Sequence, residues 1–185
     1  MRIISGKAGR IAIKVPAAVS RPTTDFVRQA IFSMLGEQVI GSRVLDLYAG
    51  SGAIGLEALS RGATSCTFID EHRQACNVIQ ENLEKTKLSG GRVIKAQVIS
   101  QLKRDPGHYD LIFADPPYWK HHGDSDHLRE LFDSGLIPQQ LKPGGWLIAE
   151  ASSHYDPPQA DGLTLTSRRE YGSSAILLYA AASAA

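Results

Sequence analysis

The chain has 185 residues and a net charge of +1, enough length for one domain that buries a continuous core without disulfides or a structural metal. No apolar run reaches membrane-spanning length, and Met1 to Val15 carry Arg2, Lys7, Arg10 and Lys14 between isolated apolar positions, not an apolar leader core. A cytoplasmic protein is expected, with Cys66 and Cys76, which lack metal-type spacing, as small buried thiols.

In chain order, Ile3 and Ile4 are separated by Gly6-Lys7-Ala8-Gly9 from the alternating Ile11, Ile13 and Val15, which predicts a β-hairpin. After Pro16, Thr23 to Leu35 places Val27, Ile31 and Leu35, with Phe26, Ala30 and Met34, on one helical face, with Thr or Asp as cap. Residues 1–43 hold seven Lys/Arg against Asp25 and Glu37, or +5, which leaves about −4 on the rest of a chain whose net is +1. The charge predicts a basic extension over residues 1–40, a phosphate-binding patch or an ordinary solvated face, ahead of a body over residues 41–185.

From Arg43 the pattern alternates strand and helix, as in a parallel sheet with crossover helices. Strand Val44 to Tyr48 runs into Ala49 to Gly55, and a helix follows to about Arg61. A strand at Cys66 to Asp70 leads to a helix ending near Lys87, then a third strand at Arg92 to Ala96. The fourth, Tyr109 to Ala114, ends in Asp115-Pro116-Pro117-Tyr118; a helix near Leu128 to Leu136 and a fifth strand at Trp146 to Glu150, entered through Pro143-Gly144-Gly145, come next. Strands near Leu163 to Arg169 and Ala175 to Ala181 are expected to pair as an antiparallel edge.

Two motifs carry chemistry. Gly50, Gly52 and Gly55 match G-x-G-x-x-G between a strand and a helix, with Asp70 ending the next strand 20 positions after Gly50. The fingerprint alone permits NAD or S-adenosylmethionine. Asp46, inside the first strand, discriminates: a carboxylate there repels a pyrophosphate and attracts a cofactor that carries a sulfonium and an ammonium, although it is also suited to bonding loop amides. Asp115-Pro116-Pro117-Tyr118 falls where open α/β sheets bind ligands. Two prolines stiffen that turn and leave carbonyls as its main polar groups. Such a loop suits a neutral amine, whose N–H groups Asp115 and the Pro116 carbonyl accept while Tyr118 stacks on the ring that bears it. The run His121, His122, Asp124, Asp126 and His127 has ligating side chains, but methyl transfer from a sulfonium needs no metal, and a solvated loop is expected. Glu150, at the end of the fifth strand, either faces the site or is structural.

With these motifs the sequence resembles the RsmD-type family of bacterial guanine-N2 methyltransferases of small-subunit ribosomal RNA. The resemblance covers nearly the whole chain: Arg2-Ile3-Ile4-Ser5-Gly6, Arg21-Pro22-Thr23-Thr24-Asp25, Val44-Leu45-Asp46-Leu47-Tyr48-Ala49-Gly50-Ser51-Gly52, Asp115-Pro116-Pro117-Tyr118 and Tyr171-Gly172. It implies an α/β Rossmann-like class I methyltransferase fold with a seven-stranded, mostly parallel sheet and an antiparallel edge, plus the hairpin and helix extension. The implied S-adenosylmethionine contacts are Asp46, Tyr48, Gly50, Ser51, Gly52, Asp70, Gln97 and Asp115, with the target guanine at Asp115, Pro116, Pro117 and Tyr118. Arg2, Lys7, Arg10, Arg21 and Arg28 join Tyr118 in binding 16S ribosomal RNA, presented by ribosomal proteins of the small subunit to a monomeric enzyme. Two positions depart from the family: Phe26 stands where an Arg is usual, and Gln97 where many relatives have an Asp that accepts from the adenine amine. Alternatives are an amine methyltransferase acting on adenine N6 or cytosine N4 of DNA, an NAD-dependent oxidoreductase, and a non-catalytic RNA-binding module.

Overall fold

The computed structural model describes residues 1–17, 24–117 and 125–183. The chain divides into two compact units, Met1–Val98 and Ile99–Ala185.

The first unit opens with the expected hairpin. Arg2 bridges Ala12 in antiparallel fashion, the Ile3 amide donates to the Ile11 carbonyl at 2.9 Å, and the Arg10 amide donates to the Ile3 carbonyl at 2.8 Å. Helix α1 (Asp25–Leu35) starts at Thr24, whose Oγ1 accepts from the Val27 amide at 3.3 Å. Its buried stripe is Val27, Arg28, Ile31, Phe32 and Leu35. Phe26 departs from the expected face: it is 71% exposed, and Arg28 and Phe32 turn inward. A buried carboxylate on the next helix explains the rotation, because it draws the Arg28 guanidinium into the interior.

After a 3-10 turn at Gly36–Val39 come β1 (Arg43–Leu47), α2 (Ala53–Ser60), β2 (Ser65–Asp70), α3 (Arg73–Thr86) and β3 (Gly91–Lys95). Both β1 and β3 pair in parallel with β2, Leu47 opposite Ile69 and Asp70 opposite Lys95. Parallel pairing brings the carboxyl ends of all three strands to one side, where the loops that follow them meet. Val44, Leu45, Leu47, Phe68 and Ile69 are fully buried, as expected of strands covered on both faces.

Helix α4 (Val98–Leu102), which has no counterpart in the expected elements, spans the boundary between the units. At five residues it is too short to show a helical period. In the second unit β4 (Tyr109–Ala114) pairs in parallel with β5 (Leu141–Ser152), β5 is antiparallel to β7 (Ser174–Ala181), and β7 is antiparallel to β6 (Leu163–Tyr171). Strand β5 starts earlier than predicted: Pro143-Gly144-Gly145 lies inside it as a bulge, between Leu141 opposite Tyr109 and Trp146 opposite Leu111. The single helix expected near Leu128 to Leu136 is two, α5 (His127–Asp133) and α6 (Ile137–Gln140). Gly135, at φ +64°, breaks the helical run between them. The sheet is seven-stranded and mixed, and among the described residues no helix is long and apolar enough to cross a membrane.

The N-terminal segment is docked through charge buried in the first unit. Glu57 of α2, fully buried, accepts from the Ile4 amide at 2.7 Å, the Ser5 amide at 3.0 Å and Arg61 Nε at 2.6 Å. Arg28, also fully buried, lies 4.0 Å from Glu57 and donates to the Arg2 carbonyl at 2.8 Å and to Asp25 at 2.6 Å. Removing one partner from such a cluster leaves an uncompensated interior charge. Glu57→Ala is therefore expected to destabilise the protein by about 3–5 kcal/mol, measured by urea unfolding; a loss below about 1 kcal/mol would contradict the assignment.

Candidate cofactor and substrate sites

In the first unit, Asp46, Tyr48, Gly50, Ser51, Gly52 and Asp70 come together where β1 ends and α2 begins. The loop needs unusual backbone: Tyr48, Gly50 and Gly52 have φ of +57°, +56° and +74°, the left-handed region that glycine adopts without penalty and tyrosine adopts at a cost. Gly52 caps α2 and has no side chain with which to bond its first amides. Asp46 supplies that bond from within β1, its Oδ2 accepting from the Gly55 amide at 3.0 Å, and it is almost wholly buried. The structural role weighed for Asp46, bonding a loop amide, is thus present. Its negative charge also sits at the end of a helix that, in a dinucleotide site, would receive a phosphate.

Asp70 ties the loop to the end of β2. Its Oδ2 accepts from the Gly50 amide at 2.9 Å, and its Oδ1 accepts from the His72 amide at 2.9 Å and lies 3.0 Å from His72 Nδ1. A carboxylate has about four lone-pair sites, so Asp70 keeps acceptor capacity towards a ribose hydroxyl. The Ala96 amide donates to the Asp70 carbonyl at 3.0 Å, and Gln97 follows two residues past the end of β3, exposed to solvent. Donors and acceptors of this set suit an adenosine and an ammonium better than a diphosphate. Burial, and then the charge of Asp46, push the Cys66 thiol well above the usual range, so Cys66 is a neutral packing group beside the loop.

Asn82, Glu57 and His72 were not singled out by the sequence. Asn82 lies in the buried stripe of α3, Ala75, Cys76, Ile79, Asn82 and Thr86; an amide among these mostly apolar positions was the available signal. Glu57 gave the same one, a carboxylate inside Ala53–Ser60. Of the proposed RNA contacts, Arg2, Lys7 and Arg10 are exposed. Arg28 is not presented at the surface, its guanidinium being committed to Asp25, the Arg2 carbonyl and the vicinity of Glu57.

In the second unit, β4 delivers Asp115, half-buried, then Pro116, buried, and Pro117, exposed. Glu150 follows Ala149, the partner of Ala114, so the parallel register sets it beside Asp115; it is buried, and β5 runs two residues beyond it, to Ser152, whereas the sequence pattern places the strand's end at Glu150. Asp126 and His127 have local partners: Asp126 caps α5 by accepting from the Arg129 amide and also accepts from the Tyr155 hydroxyl at 2.9 Å, and His127 Nδ1 lies 3.2 Å from Glu130. Among the described residues no group of ligating side chains could hold a metal ion. Arg21, Tyr118, His121, His122 and Asp124 lie outside the described residues.

The family model described as conserved hypothetical protein 95 matches residues 1–180. YlbH of Bacillus subtilis is 36% identical over 186 residues, covering 97% of this chain and 98% of its own. The Escherichia coli K12 protein described as ribosomal RNA small subunit methyltransferase D is 33% identical over 167 residues, covering 88% of this chain and 77% of its own. The chain belongs to the RsmD-type family. The solved structure of yhhF from Escherichia coli superposes with a TM-score of 0.86 at 30% identity, covering 100% of this chain and 99% of that one. The Rossmann-like fold that the RsmD-type resemblance implied is therefore the fold of this chain.

A tight contact at Gly55 makes the RsmD-type loop sensitive to one methyl group. A Cβ there would stand 2.3 Å from Phe68 Cε1, 2.5 Å from Cys66 Sγ and 2.9 Å from Asp46 Oδ2. Gly55→Ala is expected to destabilise the fold by about 1–3 kcal/mol and to weaken adenosyl-ligand binding, because Asp46 must move. Guanidinium unfolding and calorimetry check this; unchanged stability would contradict the packing.

Proposed function

We propose that this chain transfers a methyl group from S-adenosylmethionine to the exocyclic N2 of a guanine in small-subunit ribosomal RNA. The observation that carries the cofactor assignment is Asp46 bonded to the Gly55 amide at the start of α2. Two unit charges 4 Å apart near a protein surface interact by about 4 kcal/mol, so a carboxylate there opposes a pyrophosphate and favours a sulfonium. The relatives support the reaction class: one of 33% identity is described as a ribosomal RNA small subunit methyltransferase. That kinship also favours RNA over DNA and methyl transfer over hydride transfer.

When bound, S-adenosylmethionine supplies an electrophilic methyl on a positively charged sulfur. The chain's residues bind and orient. Gly50, Ser51 and Gly52 let the backbone approach the ligand, Asp70 accepts from ribose hydroxyls, and the Gln97 amide oxygen accepts from the adenine amine with less charge assistance than a carboxylate would give. Tyr48 flanks the same loop. Asp115 and the Pro116 carbonyl accept the N–H groups of the guanine amine and stabilise charge that develops on its nitrogen, Pro117 stiffens the turn, and Tyr118 stacks on the base. Asp115 need not be a strong base, because the nitrogen becomes acidic only as the methyl arrives. The extension over residues 1–40 grips RNA phosphates through Arg2, Lys7, Arg10 and Arg21, and the enzyme acts as a cytoplasmic monomer without a metal.

Unmethylated small subunits incubated with the enzyme and labelled S-adenosylmethionine, then digested to nucleosides, are expected to yield N2-methylguanosine. Label in N6-methyladenosine or N4-methylcytidine would move the target, and no label would end the reading. Asp115→Ala should cut turnover at least about a hundredfold while calorimetry shows S-adenosylhomocysteine bound nearly as in the wild type; wild-type turnover in that variant contradicts the role.

RNA affinity is expected to fall steeply with salt, and Arg10→Gln should lower the logarithmic salt slope by about 0.7–0.9. A slope that does not change on substitution removes Arg10 from the interface.

A further inference from the structure

We propose that Asn82 is a positioning residue that couples the basic N-terminal segment to the glycine loop, so that RNA on the segment and S-adenosylmethionine at the loop strengthen each other's binding. The inference rests on the assignment of those two ligands made above.

Asn82 is fully buried on α3. Its Nδ2 donates to the Ser51 carbonyl at 3.0 Å and to the Lys14 carbonyl at 3.0 Å, while its Oδ1 accepts from the Lys14 amide at 2.8 Å. Both amide hydrogens are thereby spent, one on the loop between Gly50 and Gly52 and the other on the segment that carries Arg2, Lys7 and Arg10. A buried amide that loses such partners suffers the full desolvation cost, so neither carbonyl can drift independently of the other. The two stretches meet again where Ser51 Oγ contacts Met1 Sδ at 3.8 Å.

The rest of the segment is fastened to the helix that the loop starts. The Lys7 amide donates to the Ser60 carbonyl at 2.8 Å and the Ala8 amide to Ser60 Oγ at 2.9 Å, beyond the two amides on Glu57. RNA that immobilises the segment therefore also immobilises the loop from its α3 and α2 sides. Ordering bought by one ligand need not be supplied again by the other, which is positive cooperativity, and linkage makes it reciprocal.

Asn82→Asp separates the bonds: ionised, it accepts from the Lys14 amide and donates to neither carbonyl, and protonated, its single O–H reaches one carbonyl and not both. Titration of S-adenosylhomocysteine into the full chain, with and without a saturating small-subunit ribosomal RNA transcript, reads the coupling. RNA is expected to tighten the wild-type Kd by roughly tenfold and the Asn82→Asp Kd hardly at all, with KM for S-adenosylmethionine raised and kcat at saturation kept. A wild-type factor of one, or the same factor in both proteins, overturns the proposal. Should the variant not fold, hydrogen exchange on the wild type decides: S-adenosylhomocysteine should slow exchange of the Lys14 amide, and an unchanged rate overturns the coupling. Wild-type protein that binds no S-adenosylhomocysteine would overturn the functional assignment as well, whereas binding without coupling would sink only the role of Asn82.

Discussion

A carboxylate enclosed in a strand organises the first unit. Asp46 is almost wholly buried, and interior charge is tolerated only where donors meet it. One donor comes from the Gly55 amide, which forces the chain after β1 to double back sharply and present the first turn of α2 to the strand it has just left. That return requires left-handed backbone at Gly52 and leaves no space for a side chain at Gly55. Packing, turn geometry and ligand preference thus have a single cause. The bond that lets the loop form also places negative charge where a nucleotide fold of the dinucleotide type would welcome phosphate.

Positive charge near the N-terminus is of two kinds, buried and exposed, that composition cannot separate. Arg28 of the segment, with Arg61 at the end of α2, neutralises Glu57 inside the first unit, and Lys14 pairs with Glu81 at the surface. Arg2, Lys7 and Arg10 point to solvent. The segment is therefore not a loose cationic tail. Its Ile4 and Ser5 amides are spent on Glu57 and its Lys7 and Ala8 amides on Ser60, so its exposed cations stand on an ordered backbone.

The turn that leaves β4 in the second unit presents acceptors. Two successive prolines after Asp115 remove N–H donors from the turn, and the parallel register sets Glu150 alongside. Further along, Asp126 joins the start of α5 to the Tyr155 hydroxyl, and burial together with that carboxylate raises the phenol above its ordinary range. Tyr179, pushed up to about 12 by burial, donates to the Pro158 carbonyl at 2.8 Å and packs against Phe132. Both tyrosines are neutral clamps over the working pH range.

What local chemistry dictates was legible from the residues alone. The alternation of strand and helix from Arg43, the glycine spacing, the acid at the end of β2, the Asp-Pro-Pro turn and the hairpin's two apolar runs each depend on period and backbone freedom, which neighbours in the chain determine. Tertiary structure decided the rest, because it turned on partners distant in sequence. The Glu57 carboxylate drew Arg28 inward and left Phe26 in solvent; a bulge let β5 absorb Pro143-Gly144-Gly145; and Asn82, one polar residue in a helical stripe, became the link between Lys14 and Ser51. A carboxylate or amide in an apolar stripe signals that a partner must exist, but only the folded chain shows which one reaches it.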